Sequence, residues 1–211
     1  ARRVELADCC SPGVARLLEW AVRSRCNIIV SGGAGAGKTT LLNAIAGFIP
    51  PDERVVTIED AAELRLPGRH VLRLEARPAN AEGAGEIPSR DLVRNALRMR
   101  PDRIVVGEVR GKEISDLLLA LNTGHKGSAT TIHADDAVSV PTRIEALGLL
   151  AGLPREAIHA QMHSAFDAVI QMKNSRDGKR GVAEIAELTR SPNGTVTTQP
   201  IYKPHFISRV A

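Results

Sequence analysis

Eight consecutive residues constrain this chain more than any other feature. Gly32-Gly33-Ala34-Gly35-Ala36-Gly37-Lys38-Thr39 fits G-x-x-x-x-G-K-[ST] in full. The run lies between a short apolar stretch, Cys26–Ser31 (CNIIVS), which reads as a buried strand, and a helical pattern from Lys38 to about Ala46, with Gly47 as its expected stop. Residues without Cβ atoms let successive backbone N–H groups turn inward. The following helix adds the positive end of its dipole, so the turn is a cradle for closely spaced negative charges such as a triphosphate. Lys38 is expected to reach the β and γ phosphates and the Thr39 hydroxyl to ligate Mg2+. Gly32, Gly33, Ala34, Gly35, Ala36, Gly37, Lys38, Thr39 and the adjacent Thr40 are therefore the expected nucleotide-binding residues, with ATP and Mg2+ as cofactors.

Such a cradle needs carboxylates to handle the metal and the attacking water. The apolar run Arg103–Gly107 (RIVVG) leads into Glu108. An acid at the carboxyl end of a parallel strand faces the crevice that holds the phosphates, so Glu108 is expected to orient the water, directly or through the Mg2+ shell. The competing reading is a loop glutamate paired with Arg110. A second acidic group, Glu59-Asp60 with Glu63, ends the run Arg54–Glu59 (RVVTIE). Two strands delivering acids to one edge suit metal-dependent phosphoryl transfer, but charges at strand ends also serve solubility, and position alone leaves this open.

Elsewhere, strand-like and helix-like periodicities alternate, which predicts an α/β fold with a mostly parallel central sheet flanked by helices and a small C-terminal helical and antiparallel β portion. Ser11-Pro12 opens a helix, and Val71–Glu75 reads as an edge strand. Ala76–Pro88 is a loop, after which Ser89 caps a helix that stops near Pro101. Glu113–Leu121 is nearly all apolar and is expected to pack on both sides. Ser128–Ile132 is a strand, followed by helices at Val138–Leu150 and Arg155–Ser164. Ala168–Met172 and Gly181–Leu188 read as antiparallel strands joined by a turn at Arg176-Asp177-Gly178. Residues 1–190 are expected to form one domain and 191–211 a turn-rich tail with a strand near Thr195–Thr198.

Composition narrows the partners. Aromatics are 2%, which argues against a base-stacking nucleic-acid platform, and a net charge of +4 falls short of a duplex-binding face. Cys9, Cys10 and Cys26 are an odd number without metal-ligand spacing and read as reduced thiols of a cytoplasmic protein. No apolar run approaches the roughly 20 residues of a membrane span. The chain begins at Ala1, so it is expected to be a fragment. His159 and His163, at i and i+4, lack the intervening glutamate of zinc helices and read as structural. Arg90, Arg94 and Arg98 form a stripe that reads as a solvated face, with a subunit-interface patch as the sharper alternative.

Three segments, SGGAGAGKTTLLNAIAGFIPPDERVVTIEDAAEL, NALRMRPDRIVVGEVRG and NTGHKGSATTIHAD, resemble the type II/type IV secretion ATPases, and within them the tight-adherence (Flp) pilus assembly ATPases. The resemblance covers about Ala15 to Leu188 with four motifs in family order. It implies a RecA-like P-loop NTPase domain, normally preceded by an N-terminal domain. It also implies a homo-hexamer that hydrolyses ATP on the cytoplasmic face of the inner membrane, attached peripherally through inner-membrane platform proteins. By position, Gly32–Thr39 is the Walker A loop, Glu59 and Asp60 belong to the Asp box, Gly107-Glu108 ends Walker B, and Gly124-His125 through His133 is the His box. The resemblance thus implies Glu59 as a catalytic or Mg2+-directed acid and His125 and His133 as sensors of the γ-phosphate. It also leaves Arg110 and Arg77 among the arginines that could act on a neighbour's phosphate. Ala34 and Ala36 stand where the family has Thr and Ser, and Asp135 where Asn often follows His-Ala. A nucleic-acid-translocating RecA-like motor is the alternative function, since it shares the fold.

Overall fold

The structure, a computed structural model, describes Leu6 and residues 9–174 and 178–203. Ser11 opens α1 (Pro12–Arg23): its hydroxyl accepts from the Val14 N–H at 3.4 Å, and Pro12 sits where a missing N–H costs nothing. There follow β1 (Ile28–Ser31), α2 (Lys38–Ala46), β2 (Arg54–Glu59), β3 (His70–Glu75), α3 (Ser89–Leu97), β4 (Arg103–Val106), α4 (Glu113–Asn122) and β5 (Ala129–Ile132). The chain continues through α5 (Ser139–Leu150), α6 (Arg155–Ala165), β6 (Ala168–Asn174), β7 (Arg180–Arg190) and β8 (Val196–Tyr202).

All eight strands form one sheet in the order β3-β2-β4-β5-β1-β6-β7-β8. From β3 to β6 neighbours run parallel, and β7 and β8 add an antiparallel extension. The short apolar strands are buried on both faces, as a parallel sheet covered by helices requires. Ile28, Val30, Val55 and Val105 pack against Leu18 of α1 and Leu41, Leu42 and Ile45 of α2. Ile29, Val56, Ile58, Ile104 and Val106 point the other way, onto Val93 of α3, Leu117 and Leu118 of α4, Ile144 of α5 and Ile158 of α6. Burial of each such side chain contributes about 1.5–3 kcal/mol.

Polar side chains fasten the layers where apolar periodicity is silent. Arg103, 1% exposed, starts β4 and places Nε and Nη2 at 2.5 and 3.1 Å from the Glu53 carboxylate. Its Nη1 donates to the carbonyls of Val22 and Gly127 at 2.8 and 3.1 Å. That hydrogen-bonded pairing is what allows a guanidinium to sit in a core. His159 is structural as expected: its Nδ1 accepts from the Val196 N–H at 3.0 Å, which leaves the proton on Nε2, 2.8 Å from Glu145.

Several expectations are corrected. Ser89 is the first residue of α3 and not its cap; Pro88, extended at φ −72°, takes the cap position, and the Ser89 hydroxyl donates to Asp60 at 2.8 Å. The stripe is solvated at Arg94 and Arg98, but it is not free of partners, because Asp116 of α4 takes the Nε groups of Arg90 and Arg94 at 2.7 and 2.8 Å. Helix α4 is not apolar on both sides, since Asp116 and Glu113 are buried and Leu119 is 54% exposed. The strand expected at Thr195–Thr198 runs to Tyr202 and pairs with β7. Arg176 and Asp177 of the expected turn lie outside the described residues. Cys9, Cys10 and Cys26 form no disulfide among the described residues. Among the described residues no helix is long and apolar enough to cross a membrane.

Candidate nucleotide-binding and catalytic site

The carboxyl ends of β2, β4, β5 and β1, adjacent in the sheet, carry Glu59, Gly107-Glu108, His133 and the glycine-rich turn. Cross-strand hydrogen bonds hold these ends in register. The Gly107 N–H donates to the Ile58 carbonyl at 2.8 Å, the Thr131 hydroxyl to the Gly107 carbonyl at 2.7 Å, and the Val109 N–H to the Thr131 carbonyl at 2.9 Å. On the other side the Ser31 hydroxyl donates to Gln171 of β6 at 2.5 Å, and Gln171 Nε2 donates to the carbonyls of Ala134 and Asp135 at 3.3 and 3.2 Å. One buried amide thereby ties the strand before the turn to the segment after His133.

The turn has the geometry its glycines allow. Gly37, at φ +90°, caps α2 with no side chain, so the first N–H groups of the helix are left to a ligand. A Cβ at Gly32 would lie 2.8 Å from the Met172 carbonyl oxygen. Lys38 Nζ donates to the carbonyls of Gly32 and Gly33 at 2.9 and 3.0 Å and lies 3.4 Å from both ring nitrogens of His133. Burial pushes the Lys38 ammonium below the usual lysine range; the Glu108 carboxylate opposes that shift and the Arg110 charge adds to it. Thr39 lines the adjoining cleft, and Thr40 is exposed on the outer side of the first turn.

Thr39, Glu59, Asp60, Glu63, Glu108 and Arg110 line a cleft of about 250 Å3. Glu59 is buried, and its Oε1 accepts from the N–H groups of Glu63 and Leu64 at 3.0 and 2.8 Å, so this acid also folds the loop behind it. Gly107 is where a side chain cannot stand: a Cβ there would lie 2.9 Å from Glu59 Cγ. Glu108 Oε2 accepts from Arg110 Nη2 at 2.6 Å, the pairing that the competing reading expects. Glu108 Oε1 is buried with no aligned hydrogen bond, although His133 Nε2 lies 2.9 Å away.

The structure therefore gathers the glycine-rich turn, Lys38, Thr39, Glu59, Glu108 and His133 along one edge. It does not bring His125 there. That residue precedes β5, its Nδ1 3.0 Å from the Ala120 carbonyl, and the four extended residues of β5 put roughly 13 Å between it and the edge that holds His133. The reason is topological: one strand separates the two histidines, and only its carboxyl end faces the crevice. Sequence reasoning did not find Gln171 or Thr131, whose neighbours are apolar or small and give no signal of a cross-strand bond.

The family model described as "Type II/IV secretion system protein" matches residues 7–199. A Mycobacterium tuberculosis H37Rv protein named for conjugal transfer is 52% identical over 196 residues, covering 93% of this chain and 55% of its own length. Among solved structures, the VirB11 ATPase of the Brucella suis type IV secretion system, in complex with sulphate, matches with 32% identity and a TM-score of 0.75 over 87% of this chain and 53% of that one. The pilus retraction motor PilT with bound ADP matches with 25% identity and a TM-score of 0.66 over 85% of this chain and 52% of that one. The chain thus spans about half the length of the relatives it matches, and the shared architecture is that of the RecA-like secretion ATPases. By its match from residue 7 to residue 199, this chain belongs to the type II/IV secretion system protein family.

Proposed function

We propose that this chain is the Mg2+-dependent ATP-hydrolysing domain of a homo-hexameric motor that powers pilus assembly or protein secretion across the bacterial envelope. The observation that supports it most is the joined set at one sheet edge: Lys38 is 3.4 Å from His133, and His133 is 2.9 Å from Glu108. In this reading the amides of residues 32–40 and the Lys38 ammonium hold the phosphates of ATP. Glu108, with one oxygen pinned by Arg110 and the other free of aligned hydrogen bonds, holds a water in line with the γ-phosphorus. The water's oxygen bonds to phosphorus as the bond to the β–γ bridging oxygen breaks, giving ADP and inorganic phosphate. The water's proton passes to Glu108 or, beside it, to His133.

The donors along the cleft suit Mg2+: a Thr39 hydroxyl and the carboxylates of Glu59 and Glu108 are hard oxygen ligands, able to act directly or through water. Among the described residues no group of three or more acid, histidine or cysteine side chains could hold a metal by itself. An Mg2+ ion here would keep several waters and take its other ligands from phosphate oxygens. When bound, it would neutralise charge on the β and γ phosphates.

The motor works on the cytoplasmic face of the inner membrane and engages platform proteins there, without nucleic acid. A second reading, a nucleic-acid-translocating motor, is favoured by one observation, the conjugal-transfer name of the 52% identical relative. Hydrolysis measured with MgATP, against protein concentration and with single-stranded DNA added, separates these readings. A rate per subunit that rises with concentration and ignores DNA supports the secretion motor. Stimulation by DNA that collapses with salt favours the second reading. A Lys38→Ala protein that still binds and hydrolyses ATP would remove both.

A further inference from the structure

A second, larger cleft adjoins the catalytic one. It measures about 670 Å3 and shares two residues with the first, Asp60 and Arg110. Asp60 Oδ2 and Arg110 Nη1 stand 3.7 Å apart in the common wall, and Asp60 Oδ1 accepts from Ser89 at the start of α3. Four cations line the cleft: Arg77, Arg90, Arg110 and Lys112. Two of them are committed, Arg90 to Asp116 and Arg110 to Glu108. Arg77 uses Nε on the Gly85 carbonyl at 2.7 Å and, like Lys112, has no ion pair among the described residues. Of the acids in the wall, Glu113 turns its Oε1 onto the N–H groups of Arg110 and Gly111, Asp60 is held by Ser89, and Glu86 is exposed at the mouth.

We propose that this cleft is the leaving route of inorganic phosphate, a transient anion site where Arg77 and Lys112 receive the ion after Arg110 swings off Asp60. The inference rests on the ATPase reading above. Hydrolysis generates a multiply charged anion beside Glu108, and repulsion from that carboxylate drives it outward. Arg77 and Lys112, cations with no ion pair among the described residues, line the cleft beyond the Asp60–Arg110 pair, away from the turn and Lys38, where ADP would still sit. Arg110 is 63% exposed at its side chain, so its swing meets little packing.

The test uses the full chain in a steady-state assay that reads ADP, with potassium phosphate added as a product inhibitor. Lys112→Ala and Arg77→Ala are each expected to raise the phosphate inhibition constant about three- to fivefold, as for loss of one exposed cation facing a multiply charged anion. The inhibition constant of ADP should stay put. Arg23→Ala, which removes a charge on α1, controls for net charge and should change neither. In the parent, phosphate inhibition should not be strictly competitive with ATP. Strict competition, or unchanged phosphate inhibition in both variants, overturns the route. An Arg77→Ala protein with reduced kcat and ordinary phosphate inhibition also overturns it, and assigns that arginine to the transition state. A parent chain with no MgATP hydrolysis at any concentration would instead count against the ATPase reading itself.

Discussion

His133 Nε2 stands 2.9 Å from Glu108 Oε1, across the carboxyl ends of the adjacent strands β5 and β4, while the same imidazole lies 3.4 Å from Lys38 Nζ. A histidine between the phosphate-binding lysine and the candidate water-orienting acid couples the two: any movement of Lys38 onto a phosphate changes the charge that His133, and through it Glu108, experiences. His133 follows β5 by one residue and Glu108 follows β4 by two, and the cross-strand bonds of Gly107, Val109 and Thr131 hold these ends together.

His133→Ala should therefore lower kcat about tenfold or more while the ATP dissociation constant changes by no more than about threefold, since the group acts on the water and not on the phosphate cradle. Single-turnover hydrolysis beside equilibrium binding of a fluorescent nucleotide measures both. An unchanged rate would make the histidine a bystander. His125→Ala, on the far end of β5, should leave both quantities alone.

Gly107→Ala tests whether Glu59 must stand where it does. The new methyl would lie 2.9 Å from Glu59 Cγ, closer than real contacts allow, so the acid must shift. Glu59 also holds the Glu63 and Leu64 amides, and displacing it loosens the loop that closes the cleft. The expected outcome is a fall in kcat of about tenfold with a melting temperature lowered by only a few degrees. A variant with the parent's activity would place Glu59 outside the catalytic geometry.

The glycine-rich turn was legible because its ligand dictates its backbone, and backbone demands leave a glycine signature. The strands were legible because a parallel sheet covered on both faces must be apolar throughout, as at Ile28–Val30 and Ile104–Val106. What stayed hidden were polar side chains whose partners are far along the chain. Arg103 sits 50 residues from Glu53 and Gln171 lies 140 residues from Ser31, and no local pattern carries such a pairing. The Arg90 and Arg94 pairing failed for the same reason, since the stripe was visible and Asp116 on the neighbouring helix was not. His125 was misplaced because motif order gives proximity along the chain, whereas strand direction decides which end of β5 meets the crevice.

Asp116→Asn should weaken the α3–α4 contact by about 1–2 kcal/mol near neutral pH, because two arginines lose their shared carboxylate. Burial works against ionisation of Asp116, but the hydrogen bonds from Arg94 and Arg90 outweigh it and hold the carboxyl below its ordinary 3.8. A depressed acid stabilises the fold fully above its unfolded value and loses that contribution as pH falls through the folded one. The stability gap between parent and variant should then be constant above pH 3.8 and shrink below it. Urea titrations at several pH values measure it, and a gap that grew on acidification would contradict the pairing.

Arg103 offers the sharpest separation of stability from chemistry. It lies at the opening of β4, on the sheet edge opposite Glu108, and its charge is answered by Glu53 and two carbonyls from other elements. Arg103→Met keeps the volume but leaves the Glu53 carboxylate, 13% exposed, with only the half-exposed Arg25 at 3.3 Å, and frees the Val22 and Gly127 carbonyls. Breaking one side of such a pair costs about 3–5 kcal/mol. Glu53→Gln leaves the guanidinium buried with a neutral partner and should cost somewhat less, because the amide oxygen still accepts. The double variant, Met with Gln, removes both charges and should recover part of the loss, so the two effects will not add. Because Gly127 approaches the guanidinium so closely that a Cβ would lie 2.6 Å from Nη1, Gly127→Ala should reproduce the destabilisation while leaving both charges in place. Whatever fraction remains folded should bind ATP with the parent's affinity, since none of these residues reaches the crevice. Additive losses in the double variant would mean that Arg103 and Glu53 act independently, and the ion pair would then not be what holds this edge of the sheet.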